Sequence, residues 1–381
     1  MNSEPPILDQ ERPSRPTRAV VDLGAVVRNY QSIVRLAGPG VGVYPVVKAD
    51  AYGHGAVAVA RCLAEEGADR FAVAIAEEGV VLRRAGLRGQ ILLLNYSDPG
   101  DFGIHRAYGL TPALYGLQHI SAFAETTRAL PEPLPVHLKL ETGMGRLGVR
   151  PEDLPAAIES LRRAPGLRLV GTFSNLSSAD EPGSPRTAAQ TEILKTCLKI
   201  LSSAGLDPGV VHLANSGGLL LHSGCRFHAV RPGLALYGVL PVEDLAAEGF
   251  EPALALETRV MSVQRVPAGT SLGYGASFVT SRASTIAALP IGYHDGLRRS
   301  FSGRVSVLLR EGEAPIVGAV SMDVTLVDAT VCGAGPGDRA VVLGRQGNRR
   351  VTAWDLARAA GTIPYEILCG IGPRVPRVYL R

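Results

Sequence analysis

VGVYPVVKADAYGHGAVAVARCLAEEGADRFAVAI (41–75) reads as strand, helix, strand. VGVYPVV (41–47) and RFAVAI (70–75) are short β-rich apolar runs, and AVAVARCLAEEG between them carries apolar residues at helical spacing. The pattern then repeats. QILLLNY (90–96), LTPALY (110–115), PVHLKL (135–140), LRLVGTF (167–173), VVHLA (210–214) and HAVR (228–231) are further strand candidates, separated by segments such as RTAAQTEILKTCLKILSSAG. Eight strands with intervening helices over roughly 200 residues is the count of a TIM barrel. A doubly wound open sheet is the alternative, but no GxGxxG turn follows the first strand. The spacing favours the barrel.

After about residue 250 the texture changes to alternation, β-branched residues and frequent turn signals, as in ALETRVMSVQRVPAGTSLGYGASFVTS and RVSVLLREGEAPIVGAVSMDVTLVDAT. That is a mainly-β domain, with one clear helix at VTAWDLARAAG (351–361). The expected organisation is therefore a polar, proline-rich, disordered leader over 1–15, an α/β barrel over 16–250 and a β domain over 251–381. RAVVDLG (18–24) is set apart from the barrel by an amphipathic helix and is a candidate to pair with the C-terminal domain.

A chain of 381 residues, 46% hydrophobic and 19% charged, is long enough for two domains. The net charge of +4 and the short basic runs give no nucleic-acid or membrane-surface signature. The five cysteines are scattered without CxxC or zinc spacing, which fits a reducing cytoplasm, and no apolar run approaches a membrane span.

Barrel enzymes collect their chemistry at the C-terminal ends of the strands. Reading those positions yields Lys48 and Tyr52, Lys139, Arg146, Asn175, Asn215 and Ser216, then Arg231, Gly233 and Leu234. The set holds no paired carboxylates, as a glycosidase would need, and no metal-binding cluster. His137 and His212 lie on strands, where core packing or a surface role is the simpler reading. A lysine with hydroxyls and glycine-rich turns suits an anionic carbonyl cofactor.

PVVKADAYGHG, ETGMGRLG, ANSGG, VRPGLALYG, GYGASF, PIGYHDG, VSMDVTLVD and TIPYEIL…RVPRVY occur in the order expected of alanine racemases. The chain resembles that family from about residue 16 to its end. The resemblance implies a pyridoxal 5'-phosphate (PLP) barrel joined to a β domain, a head-to-tail homodimer, and interconversion of L- and D-alanine for peptidoglycan. Residue by residue, it implies that Lys48 is the Schiff-base lysine and one catalytic base, and that Tyr274 is the second base, contributed across the dimer. Tyr52, Ser216, Tyr365, Gly233 and Leu234 match phosphate-binding positions, and Arg231 matches the arginine facing the pyridine nitrogen. Arg146 and the backbone of Met322 match positions that hold the substrate carboxylate. Lys139 matches a lysine carbamylated in some members, and Arg374 and Arg377 are read as structural.

One position departs from the family pattern. SNLSSADE stands where a histidine-bearing segment is usual, so Asn175 replaces that histidine beside the arginine. Rival readings are a racemase of broader or different preference, such as serine or lysine, a basic amino-acid decarboxylase, and a PLP-binding protein without catalysis. Arg231 argues against the decarboxylase, which should set a carboxylate against the pyridine nitrogen, and the whole β domain argues against the carrier.

Overall fold

The computed structural model describes residues 15–245 and 247–381. The leader expected over 1–15 lies outside the described residues except for Arg15, which is ion-paired with Asp295. The chain divides into two units, Gly24–Glu251 and a second that joins the segment through Leu23 to Pro252–Arg381.

After β1 (Arg18–Asp22) and the helix Leu23–Ala37, the first unit runs through β2 (Gly42–Val43), β3 (Arg70–Val73), β4 (Gln90–Leu93), β5 (Leu110–Thr111) and β6 (Ala113–Leu114). It continues with β7 (Leu134–Lys139), β8 (Leu167–Phe173), β9 (Val210–His212) and β10 (Ala229–Val230). Every pairing among β2 to β10 is parallel, β10 returns to β2, and a Val46–Ala72 bridge joins the end of the first run to β3. Since β5 and β6 are two pieces of one run, the ring closes on eight positions, as the spacing predicts. Helices such as Ala56–Glu65 and Ala76–Arg84 return the chain between strands, burying Val59, Leu63 and Leu82.

The ring's core is partly polar. Tyr44, His137, Phe173 and His212 are fully or almost fully buried and meet edge-on or stacked, with centroids 4.9–6.3 Å apart. Gly171 on β8 stands opposite His137 on β7, and a Cβ there would lie 2.3–2.6 Å from the imidazole. No side chain fits.

In the second unit one sheet carries Gly312–Pro315, Ser306–Leu309, Arg339–Gln346, Leu254–Arg259, β1 and Arg377–Leu380, in that order. β1 is antiparallel to Leu254–Arg259 and parallel to Arg377–Leu380, so the first strand belongs to this sheet. Glu257, buried, is gripped there by Arg18 and Arg339. The helix Ala353–Ala360 is closed by a Thr352–Asp355 capping box and by Gly361 at φ 67°. A second short helix, Pro364–Cys369, follows; six residues are too few to show helical periodicity in sequence. Among the described residues no helix is long and apolar enough to cross a membrane.

Gly171→Ala should destabilise the barrel by about 1–3 kcal/mol through overpacking against His137. The urea midpoint for loss of the barrel should drop, whereas Gly103→Ala, exposed in the helix Phe102–Ala107 with open space around it, should shift it far less.

Candidate active site

Lys48 stands just past the first barrel run, whose last residue, Val47, is buried and donates to the carbonyl of Ala72 at 2.9 Å. The next four residues, Ala49, Asp50, Ala51 and Tyr52, have φ of 51°, 51°, 54° and 54°. This is a full left-handed turn made without glycine. For L-residues such a conformation costs roughly 1–2 kcal/mol each, so specific contacts must hold it. Glu78 Oε1 accepts from the Ala49 N–H at 2.6 Å, and Asp50 Oδ1 accepts from the Ala56 N–H at 2.7 Å. His54 Nδ1 lies 3.0 Å from the carbonyls of both Ala51 and Tyr52, and its ring stacks on Tyr237 at 4.3 Å. Tyr237 in turn donates to the carbonyl of Val46 at 2.9 Å.

The turn delivers the Tyr52 hydroxyl against Gly233, where a Cβ would sit only 2.4 Å from it. Ser216 Oγ accepts from the N–H groups of Gly233 and Ala235 at 3.0 and 3.2 Å, and Leu234 is fully buried between them. Two hydroxyls and a glycine backbone thus form a small cradle that any side chain at Gly233 would fill. Donors of that kind fit a phosphate monoester, so the residues present fit PLP.

Arg231, only 4% exposed, donates through Nη1 to His212 Nδ1 at 2.6 Å and the His212 carbonyl at 2.9 Å. Through Nη2 it donates to the carbonyls of Ser174 at 2.6 Å and Leu213 at 3.2 Å and to Asn175 Oδ1 at 3.4 Å. A guanidinium only donates, so His212 Nδ1 must be bare and Nε2 must carry the proton. His212 Nε2 then donates to His137 Nδ1 at 2.9 Å, leaving the His137 proton on Nε2, which faces the Gln90 amide at 3.3 Å. Gln90 must therefore present its oxygen to His137 and its NH2 to the Tyr44 hydroxyl, 2.7 Å away, the reverse of the placed amide. His137 and His212 are core residues, one of the two places the sequence reading gave them, and there they also form an internal polar chain that seats Arg231.

Burial, then the charge of Arg231, pushes His137 down to about 3 and holds His212 well below the usual imidazole range. Burial also lowers Arg231, to about 10, which leaves it a cation at neutral pH.

Lys139 is buried, donates to the carbonyl of Leu94 at 3.0 Å, and has its amine lowered to about 8 by burial and by Arg146, Arg231 and Lys48. The four basic groups therefore converge. As a plain amine Lys139 repels Arg146 rather than bracing it. Arg146 is exposed, and its turn is folded around Glu141, whose carboxylate accepts from the N–H groups of Gly143, Met144 and Arg146 at 2.6, 2.6 and 3.1 Å. Asn175 joins the two regions, since its amide also donates to Met144 Sδ at 3.2 Å.

Tyr274, Met322 and Tyr365 stand in the β unit. Tyr274 is 74% exposed at the tip of the hairpin Ser271–Leu272/Phe278–Val279. Met322 lies in a turn locked to the Gly292–Asp295 segment: Ser321 O accepts from Tyr293 N–H at 2.9 Å, and Met322 O from Arg374 at 3.2 Å. Because C=O and N–H of one trans peptide point oppositely, the Ser321 bond turns the Met322 N–H away from that segment. Asp295, fully buried, anchors the assembly through Arg15, Arg374 and the Gly292 N–H. Arg377 donates to the carbonyls of Ile371, Gly372 and Val375, and Tyr365 sits half-buried in the short helix. Glu78, Gln90 and Asp295 have no role in the sequence reading; for Asp295 alone, the PIGYHDG motif was a signal.

The buried imidazoles make stability depend on pH. Their folded-state values lie below the unfolded value of about 6.5, so stability is full above that pH and is lost as the pH falls toward 3. Each imidazole removes about 1.4 kcal/mol per pH unit within its window. Thermal midpoints measured from pH 7 to 4 should fall steeply, and His137→Gln should flatten the slope.

Residues 21–241 match the family model for the N-terminal domain of alanine racemase, and residues 253–379 match that for its C-terminal domain. The chain is 42% identical over 370 residues to the alanine racemase of Symbiobacterium thermophilum, covering 96% of this chain and 97% of that protein. It is 41% identical over 370 residues to that of Carboxydothermus hydrogenoformans, covering 96% and 100%. Among solved structures, alanine racemase from Bacillus anthracis with bound L-Ala-P superposes with a TM-score of 0.92 at 35% identity, covering 96% of this chain and 95% of that one. The enzyme from Streptomyces lavendulae gives 0.91 at 36% identity, with 97% and 98% covered. Barrel, β unit, phosphate cradle and end-to-end likeness agree: the chain belongs to the alanine racemase family.

Proposed function

We propose that the protein interconverts L- and D-alanine with PLP as cofactor, working by two bases, Lys48 and Tyr274. The observation that carries the reading is the hydroxyl-lined cradle of Tyr52, Ser216 and Gly233, with Lys48 at the head of the turn that carries Tyr52 and the buried Arg231 two residues before Gly233. When bound, the cofactor withdraws electrons from the substrate α-carbon and so makes its proton removable. Inversion then needs one group to take the proton from one face and another to deliver a proton to the opposite face. Lys48 Nζ serves one face, and the Tyr274 hydroxyl serves the other.

Tyr52, Ser216, Tyr365 and the backbone at Gly233 and Leu234 hold the phosphate. Arg231 would be the residue set toward the cofactor ring and would leave a ring nitrogen unprotonated, because a guanidinium flanked only by neutral acceptors has nothing to pull its proton away. Arg146 and the Met322 N–H hold the substrate carboxylate. Lys139, with an amine at about 8, is neutral often enough to attack CO2: the N–C bond forms as one C=O π pair moves onto oxygen, an N–H proton passes to water, and the anionic carbamate would accept from Arg146. A head-to-tail homodimer brings Tyr274 of one subunit to Lys48 of the other, and the scattered cysteines, without CxxC or zinc spacing, support placing the enzyme in the cytoplasm.

Pure protein given PLP and single L-amino acids should form D-alanine, with serine and lysine as the comparison substrates. Borohydride should fix the cofactor on Lys48; an adduct on another lysine overturns the assignment. Inactive Lys48→Ala and Tyr274→Phe chains, mixed and allowed to exchange, should regain about a quarter of parental activity, because half the dimers then hold one complete site. Labelled bicarbonate should give a carbamate carbon signal by NMR that disappears in Lys139→Ala.

A further inference from the structure

We infer that Glu78 is a positioning residue for Lys48, holding the left-handed turn that separates the lysine from the Tyr52 hydroxyl. The inference rests on the assignment of Lys48 and Tyr52 to the cofactor. Its observations are separate from those that assign them. Glu78 uses both carboxylate oxygens on backbone N–H groups at the ends of adjacent barrel runs: Oε1 accepts from Ala49 at 2.6 Å and Oε2 from Ala74 at 2.7 Å. The Ala49 N–H belongs to the peptide that leaves Lys48, so this bond sets the plane of that peptide at the point where the chain turns left-handed.

The helix carrying Glu78, Ala76–Arg84, is seated close enough to do this. Its buried Gly79 lies so near the barrel that a Cβ would come within 2.8 Å of Leu110. The far end of the turn is held independently, by the Asp50 carboxylate on the Ala56 N–H and by the Tyr52 hydroxyl packed on Gly233. Glu78 is thus a side-chain contact at the lysine end of the turn. Four consecutive residues with φ of 51–54° have cheaper alternatives in right-handed or extended backbone. Without the carboxylate the turn relaxes, and Lys48 and Tyr52 lose the spacing at which one cofactor can engage both.

The test uses the full chain loaded with PLP. Glu78→Ala should release PLP about tenfold faster than the parent, as expected for loss of charge-assisted hydrogen bonds, and Glu78→Gln, which keeps one acceptor oxygen, should lie between them. Melting of the cofactor-free protein should fall modestly, because the bonds to the Ala49 and Ala74 N–H groups go with the carboxylate, and PLP release is read against that baseline. Rescue is the decisive arm. Glycine adopts the left-handed region freely, so adding Ala49→Gly or Ala51→Gly to Glu78→Ala should recover a large part of PLP retention. A merely structural role would lower melting without this rescue. Unchanged release from Glu78→Ala, or a glycine that rescues nothing, overturns the inference. Should Glu78→Ala not fold, Glu78→Gln with and without Ala49→Gly makes the same comparison. Borohydride trapping in the parent separates the two readings: cofactor on a lysine other than Lys48 defeats the assignment itself, whereas cofactor on Lys48 with release indifferent to Glu78 defeats only this inference.

Discussion

Positive charge held around two buried cationic side chains, Lys139 and Arg231, is the constraint on which the barrel site depends. Lys139, Arg146, Arg231 and Lys48 lie close enough that the last three all depress the amine of the first. Arg231 is compensated by dipoles: the carbonyls of His212, Leu213 and Ser174, a neutral imidazole and a side-chain amide. Carbonyl dipoles stabilise a buried cation without cancelling its field, so the site is left attracting anions. A phosphate monoester and an amino-acid carboxylate are anions of the right kind. The same field explains why His137 and His212 must stay uncharged, and from that follow their tautomers and the orientation of Gln90.

Carboxylates are nevertheless present, and they share one task. Glu78 fixes the peptide after Lys48, Glu141 folds the turn that presents Arg146, and Asp295 anchors the segment that aims the Met322 amide. Glu78 and Glu141 accept from backbone N–H groups, and Asp295 from two guanidiniums and the Gly292 N–H, which spends their lone pairs on local geometry. None is left as a proton carrier beside the cofactor cradle. That separation lets acid–base work fall to an amine and a phenol while the carboxylates set positions within a fraction of an ångström, where orientation has its largest effect on rate.

Much of the fold was legible because its signals are local. A parallel strand buried on both faces writes itself as a short apolar run, and eight of them recur between helical patterns. The strand-end rule then pointed to Lys48, Tyr52, Lys139, Ser216 and Arg231 before any likeness was invoked. What stayed hidden depends on partners distant in sequence. KADAYG is alanine-rich and reads as a right-handed helix or a loop; its opposite hand is imposed by Glu78, 29 positions from Ala49. His137 and His212 are separated by 75 positions, and only the closed ring makes them neighbours. Tyr274, Met322 and Tyr365 needed motif likeness, since an exposed tyrosine, a methionine in a turn and a short helix carry no chemical signature alone.

Asn175 shows how the charge constraint reinterprets a departure from the family pattern. An imidazole at this half-buried position, within reach of Arg231, would be pushed toward its neutral form by the guanidinium. Histidine and asparagine at this position are then alike in charge, each a neutral acceptor for the arginine. The difference lies in the second contact. Asparagine accepts from Arg231 with Oδ1 while its NH2 reaches Met144, in the turn that presents Arg146. Asn175 therefore couples the group proposed to face the cofactor ring to the group proposed to grip the substrate carboxylate. On this physical reading the replacement acts on where the substrate is held, and the proton inventory of the site is left as it was.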